Sequence, residues 1–193
     1  MIRILLIGEG TNELGRYGRP NWANAADPDG ALAALLNRIR KGGWEVAEVL
    51  RWKDIKKYRA GNHASAEERN VRGAAERARF LKCDVLAFLR DQDDDEERAR
   101  TIEAAIAVES QTALKIAGGM ATSCLEAWIL VLNGQADAES LRKTRAQEGA
   151  KSLGLHTTEA MTTCIERADL SAVPGAAVTL KLWIQRATGA LGH

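Results

Sequence analysis

The chain has 193 residues, 46% hydrophobic and 27% charged, ordinary values for one globular domain with a real core. A formal net charge of +1 leaves no global basic excess to mark a nucleic-acid binder, and no apolar run approaches the roughly 20 residues that span a bilayer. Cys83, Cys124 and Cys164 are scattered and form no Cys-x-x-Cys pair, which excludes a disulfide framework and a structural zinc site and predicts small buried hydrophobes in a reducing compartment. The segment from Met1 to Glu9 is too short in its apolar stretch, and too acidic after it, for a signal peptide; a cytoplasmic location is expected.

Ile2 to Ile7 is a continuous apolar run ending at Gly8, which predicts a fully buried strand. Gly8 to Glu13 follows as a turn, and residues 16–30, rich in Gly, Pro, Asn and Asp, predict a long loop of the kind that borders functional sites. Leu32, Leu35, Leu36 and Ile39 recur at helical spacing, and Gly42-Gly43 ends that helix. Val46, Val49 and Leu50 predict a second strand over 44–52. Residues 65–82 read as a charged amphipathic helix capped at Ser65, with Glu68 three residues on. Val85 to Leu89 predicts a third buried strand that delivers the chain into Asp91-Gln92-Asp93-Asp94-Asp95. Then come a helix over 96–108, a fourth strand over 112–117 closed by Gly118-Gly119, and a helix over 123–132 carrying Glu126, Trp128 and Ile129. The remainder, about 134–193, reads as a helical extension of a core over about 1–133, with turns at Gly154 and Pro174-Gly175 and with Trp128 and Trp183 in the core. Strands alternating with helices imply crossovers, so the expected fold is α/β with a largely parallel sheet of about four strands in a single domain over 1–193.

In an open α/β sheet, ligands lie outside the carboxyl ends of the strands. Acids fall at such places here: Glu9 after the first strand, Asp91 and Asp93 after the third. Carboxylates gathered together are costly unless a cation neutralises them, and oxygen ligands favour Mg²⁺ or Mn²⁺, with Ca²⁺ next. In an extended segment Asp91 and Asp93 would point to one side and share an ion, with Gln92 turned away. Asp94 and Asp95 are read instead as caps of the following helix, where its dipole favours negative charge. Arg51 to Arg59 is a basic run in which Lys53, Lys56, Lys57 and Arg59 are candidate phosphate contacts and Trp52 and Tyr58 candidate stacking platforms; such runs more often form a solvated edge. His63 and His156 stand alone and are read as surface or structural residues.

Glu9-Gly10-x-x-Glu13 after a buried strand, followed by Asp91-x-Asp93 after another, resembles the TOPRIM (topoisomerase–primase) pattern. The closer likeness is to small stand-alone bacterial TOPRIM-like proteins, related in pattern to the OLD-type (overcoming lysogenisation defect) nucleases. Cys124-Leu-Glu-Ala-Trp-Ile-Leu130 is similar to a Glu-Ala-Trp-Leu-Leu segment of those small proteins, and the resemblance covers about the first two-thirds of the chain. Two departures stand out: the OLD-type pattern often has Thr where Asn12 stands, and residues 16–30 have no counterpart. The resemblance implies a TOPRIM-like fold and Mg²⁺- or Mn²⁺-dependent phosphodiester hydrolysis of DNA or RNA, in the setting of bacterial defence. It further implies that Asp91 and Asp93 hold the ion. Glu9 would be general acid or base or bind a second ion, Glu13 a further ligand or orienter, and Glu126 would complete a second metal site. The ordinary alternative for Glu126 is a surface glutamate beside a core tryptophan. No Gly-x-x-x-x-Gly-Lys-Ser/Thr segment is present, so any ATPase would be a separate partner or defence-system subunit. Two alternatives stand beside this: a non-catalytic scaffold subunit, which carboxylates paired with arginines would favour, and a nucleotide or phosphometabolite hydrolase, which a narrow closed pocket over Asp91 would favour.

Overall fold

A computed structural model describes residues 1–18, 27–55 and 64–192. Its centre is one parallel sheet of four strands, β1 Ile2–Gly8, β2 Trp44–Arg51, β3 Val85–Asp91 and β4 Lys115–Ala121, in the spatial order β2-β1-β3-β4. Parallel neighbours need crossovers, and helices supply them: α1 Thr11–Leu14 and α2 Ala31–Ile39 between β1 and β2, α3 Ala66–Phe80 between β2 and β3, and α4 Glu96–Glu109 between β3 and β4; α5 Leu125–Leu132 follows β4. Three further helices, α6 Lys143–Ser152, α7 Thr158–Arg167 and α8 Val178–Leu191, make a helical C-terminal region. The coarse architecture expected from the alternation of apolar runs is therefore the one observed.

Side chains alternate across the sheet and build two cores. Ile4, Leu6, Val85, Ala87 and Leu89 face one way, with Leu32 and Leu35 of α2, Trp128 of α5, Ile165 of α7, and Leu180 and Trp183 of α8. Leu5, Ile7, Leu86 and Phe88 face the other way, with Val71 and Ala75 of α3 and Ile102 and Ile106 of α4. Burial on both faces explains why β1 and β3 are continuous apolar runs rather than alternating ones. Trp128 and Trp183 are fully buried, their ring centroids 6.2 Å apart. Cys124 and Cys164 are buried thiols as expected, whereas Cys83 is half-buried. Among the described residues no helix is long and apolar enough to cross a membrane.

Four expectations need correction. The alternation read in 44–52 is not realised as alternating burial: β2 is an edge strand paired only with β1, and none of its residues is fully buried. The turn expected over 8–13 contains the short helix α1, its entry closed by the Gly10 N–H donating to Glu13 Oε2 at 2.8 Å. The helix after β3 is capped by Asp95, which accepts the Arg98 N–H at 3.0 Å, while Asp94 is an exposed turn residue. Lastly, β4 begins at Lys115 and runs straight through Gly118-Gly119, which do not close it in a turn. A Cβ on Gly118 would fall inside the van der Waals envelope of the Phe88 ring, whereas one on Gly119 would meet Trp183 at 3.4 Å. These glycines exist for close side-chain approach on opposite faces of the sheet.

Helix α8 also closes the β4 edge. Arg186 donates to the Gly118 carbonyl at 3.0 Å and pairs through both terminal nitrogens with Glu103 of α4, so the free edge is not a template for another strand. At the other side of the fold, Gly15 and Asp29 form an antiparallel bridge and Arg16 pairs with Asp29 at 2.7 Å, which pins the two ends of the loop expected over 16–30. Residues 19–26 of that loop lie outside the described residues.

Substituting Gly118→Ala is expected to cost about 1–3 kcal/mol by overpacking against Phe88. Gly119→Ala should cost less, both read from urea midpoints, and Phe88→Leu should recover part of the Gly118→Ala loss.

Candidate functional site

The chain leaves β1 for β2 on one side, then crosses back to β3 on the other, so the carboxyl ends of β1 and β3 flank the switch point of the sheet. A crevice opens at such a point in parallel sheets, and ligands bind there. Glu9 follows β1 directly, and Asp91 is the last residue of β3. Sequence reading placed Asp91 after the strand; it lies within it, paired in register with Ala121 of β4.

Asp91 and Glu13 are the most enclosed acids of the cleft, each 8% exposed. The Asp91 backbone N–H donates to Glu9 Oε1 at 3.0 Å. Its Oδ1 accepts the N–H of Leu125, the first residue of α5, at 3.0 Å, and its Oδ2 accepts Lys143 Nζ at 3.1 Å. Burial and the charge of Glu9 push its carboxyl up to about 7 against the opposing pull of Lys143. Asp93 reaches the same ammonium, accepting Lys143 Nζ on Oδ1 at 2.5 Å and Arg98 Nη1 on Oδ2 at 2.7 Å. Burial raises its pKa, but these hydrogen bonds outweigh burial and hold it below the ordinary carboxylate value. For Lys143, burial works against the charge, and the bonds to Asp93 and Asp91 more than offset it, so its pKa lies above that of a free lysine.

The extended geometry expected for 91–93 is not the way the two aspartates converge. Asp93 and Asp94 have positive φ, 56° and 59°, and Ser123 opposite has 70°. Left-handed backbone costs about 1–2 kcal/mol per non-glycine residue, less where aspartate side chains bond locally, and it clusters at sites the surrounding fold over-determines. Here the loops are held by Asp93 N–H donating to the Ser123 carbonyl and Gln92 N–H to that of Ala121.

Glu9, Glu13 and Glu126 complete the acidic set. Glu13 is buried on α1; burial raises its pKa, its backbone hydrogen bonds oppose this, and the charges of Glu9 and Glu126 raise it further. Glu126, in the first turn of α5, is half-buried, and after burial its charge is the main force pushing the Cys124 thiol up to about 12. The sequence-predicted acids are thus brought to one end of the sheet.

Sequence reading missed the cations. Arg90 precedes Asp91 on β3, pairs with Glu9 and Glu67, and lies 5.8 Å from the Trp52 ring centre. Burial works against its charge, and the hydrogen bonds and charges of Glu9 and Glu67 together outweigh it. Arg98 bridges Asp93 to Glu67, which also accepts the Trp52 indole N–H at 2.8 Å. Trp52 is therefore not a stacking platform for a base: it is buried, its N–H is engaged, and its ring packs 5.5 Å from that of Phe88. Lys53 is exposed on the short 3-10 turn that follows β2. Lys56, Lys57, Tyr58, Arg59 and His63 lie outside the described residues, and His156 is exposed. A groove of about 440 Å³ between α5 and α7, lined by Leu132, Leu155, Glu159, Thr163, Cys164 and Arg167, contains none of the cleft's acids.

The donor set suits a hard divalent cation in kind. Its side-chain acceptors are oxygens, and among the described residues six carboxylates (Glu9, Glu13, Glu67, Asp91, Asp93 and Glu126) meet three cations (Arg90, Arg98 and Lys143). As arranged, no three acidic, histidine or cysteine side chains among the described residues converge on one point, and the Lys143 ammonium holds the place between Asp91 and Asp93. Comparisons with family models, with curated proteins and with solved structures give no match.

An aspartate that titrates near 7 when folded and near 3.9 when unfolded binds more proton in the folded state between those values, so stability falls as pH rises through that window. The loss is on the order of 4 kcal/mol if Asp91 acts alone. Urea midpoints measured from pH 5 to pH 8 should fall in the wild type and fall less steeply in Asp91→Asn.

Proposed function

We propose that the cleft between β1 and β3 is a divalent-cation centre for phosphodiester hydrolysis of DNA or RNA, the chemistry that the TOPRIM-like order of Glu9, Glu13, Asp91 and Asp93 implies. What carries this reading is the excess of carboxylate over cation at the switch point of the sheet, with Asp91 buried among its own kind. An excess of buried negative charge is costly until a cation joins it.

Asp91 and Asp93 are the residues that would hold the ion. Bound Mg²⁺ or Mn²⁺ would polarise a phosphoryl oxygen and lower the pKa of a water. Asp91 is fixed from two sides, by Glu9 on its backbone and by the Leu125 N–H on Oδ1, which leaves Oδ2 to face the ion. Arg90 and Arg98 hold Glu9 and Asp93 in place and offset their repulsion of an incoming phosphate. Glu9, which accepts the Asp91 backbone N–H, would be the general acid or base, and Glu13, buried with its pKa raised by burial, a further ligand or orienter. Lys53 at the end of β2, with Lys56, Lys57 and Arg59 beyond it in sequence, would contact backbone phosphates. Any nucleotide hydrolysis coupled to this centre would come from a separate subunit, and bacterial defence is the setting the resemblance suggests.

A second reading, a non-catalytic scaffold subunit, is favoured by one observation: Glu9 and Asp93 are each paired with an arginine. Mn²⁺ calorimetry followed by cleavage assays on single- and double-stranded DNA and RNA separates the two. The wild type should bind Mn²⁺ and cleave at least one substrate. A folded Asp91→Asn, Asp93→Asn double variant should lose the binding and at least about 100-fold of the rate. No binding and no cleavage at about 10 mM ion, well above ordinary Mg²⁺ affinities, would leave the scaffold reading.

A further inference from the structure

We propose that Lys143 is a tethered counter-ion that a divalent cation must displace, so that α6 sets the ion affinity of the cleft; this rests on reading the cleft as a divalent-cation centre. Lys143 is the first residue of α6 in the helical C-terminal region, 52 residues from Asp91 in sequence. Its Nζ lies 3.1 Å from Asp91 Oδ2 and 2.5 Å from Asp93 Oδ1. Those are the oxygens left over once Asp91 Oδ1 has taken the Leu125 N–H and Asp93 Oδ2 the Arg98 guanidinium. An ion shared by the two aspartates must therefore take the two atoms that Lys143 holds. An ammonium and a divalent ion cannot occupy one such space, because their repulsion at contact distance is large in a partly desolvated cleft.

The three cations differ in how readily each can leave. All three are held by more than one carboxylate, but the Arg90 and Arg98 side chains are only 13% and 18% exposed. The Lys143 side chain is 34% exposed and ends in a strongly hydrated point charge on a flexible stem. Its helix is anchored elsewhere, through buried Ala146 and Ala150 packed towards α5, so the side chain can swing to solvent while α6 stays in place. Displacement lowers apparent affinity by the fraction of molecules in which the lysine has already left. The ion and the freed lysine are thus two readouts of one event.

The test uses the full chain and Mg²⁺ or Mn²⁺ alone. Calorimetry on Lys143→Met, which keeps the aliphatic stem, should show Mn²⁺ binding at least about tenfold tighter than in the wild type. Amine acylation of the wild type followed by peptide mass spectrometry should show Lys143 modified several-fold faster at saturating Mg²⁺, with exposed Lys151 of the same helix unchanged. Equal Mn²⁺ affinity in the two proteins, with unchanged Lys143 labelling, overturns the displacement while leaving the ion site standing. Absence of binding in both proteins overturns the ion site and the displacement together. Should Lys143→Met fail to fold, the labelling of the wild type decides the question by itself.

Discussion

The rest of the cleft depends on one constraint, the burial of the Asp91 carboxylate at the end of a central strand. A carboxylate in such a place is destabilised unless donors and cations reach it, and two chain segments do: α5 offers the Leu125 N–H and α6 sends in Lys143, while Glu9 accepts the Asp91 backbone N–H. Each partner then needs its own balance. Glu9 takes Arg90, Arg90 and Arg98 share Glu67, and Arg98 closes the chain on Asp93. Among the described residues the network is continuous and short of positive charge, and burial first, then the charge of Glu9, lifts Asp91 to about 7.

The helical C-terminal region belongs to this account as support. Thr179 in α8 accepts the Trp128 indole N–H at 2.9 Å and the Thr122 N–H at 3.2 Å, and its hydroxyl donates to Glu139 at 2.8 Å. Glu139 in turn accepts the N–H groups of Thr179 and Leu180 and so satisfies the start of α8. One threonine therefore ties the loop after β4 to α5 and to α8, and that loop is what presents the Leu125 N–H to Asp91. The closed edge of β4 and the cleft are held by the same helix.

Much of this was legible in the sequence because it is local. β1 and β3 are apolar runs that could be nothing but buried strands, α2 carries its period, and the Ser65 cap accepts the Glu68 N–H where the motif says it should. Chain order then placed Glu9, Asp91 and Asp93 at strand ends. The illegible parts are tertiary. Gly118-Gly119 reads as a turn until the Phe88 ring is seen beneath it. Strand alternation sends Arg90 away from Asp91, yet its long stem returns the guanidinium to Glu9. Lys143 sits 50 residues from Asp93 with no local signal at all, and Trp52 looks like an exposed aromatic in a basic run until its burial against Phe88 is known.

The central claim is that the oxygens of Asp91 and Asp93 that face Lys143 form a cation position. The most direct measurement is a crystal structure of the protein grown in Mn²⁺, with anomalous difference density computed at the manganese edge. The account predicts a peak between the carboxylates of Asp91 and Asp93, with the Lys143 ammonium withdrawn from both. Lys143 still bridging the two aspartates, with no peak in the cleft at saturating Mn²⁺, would contradict it.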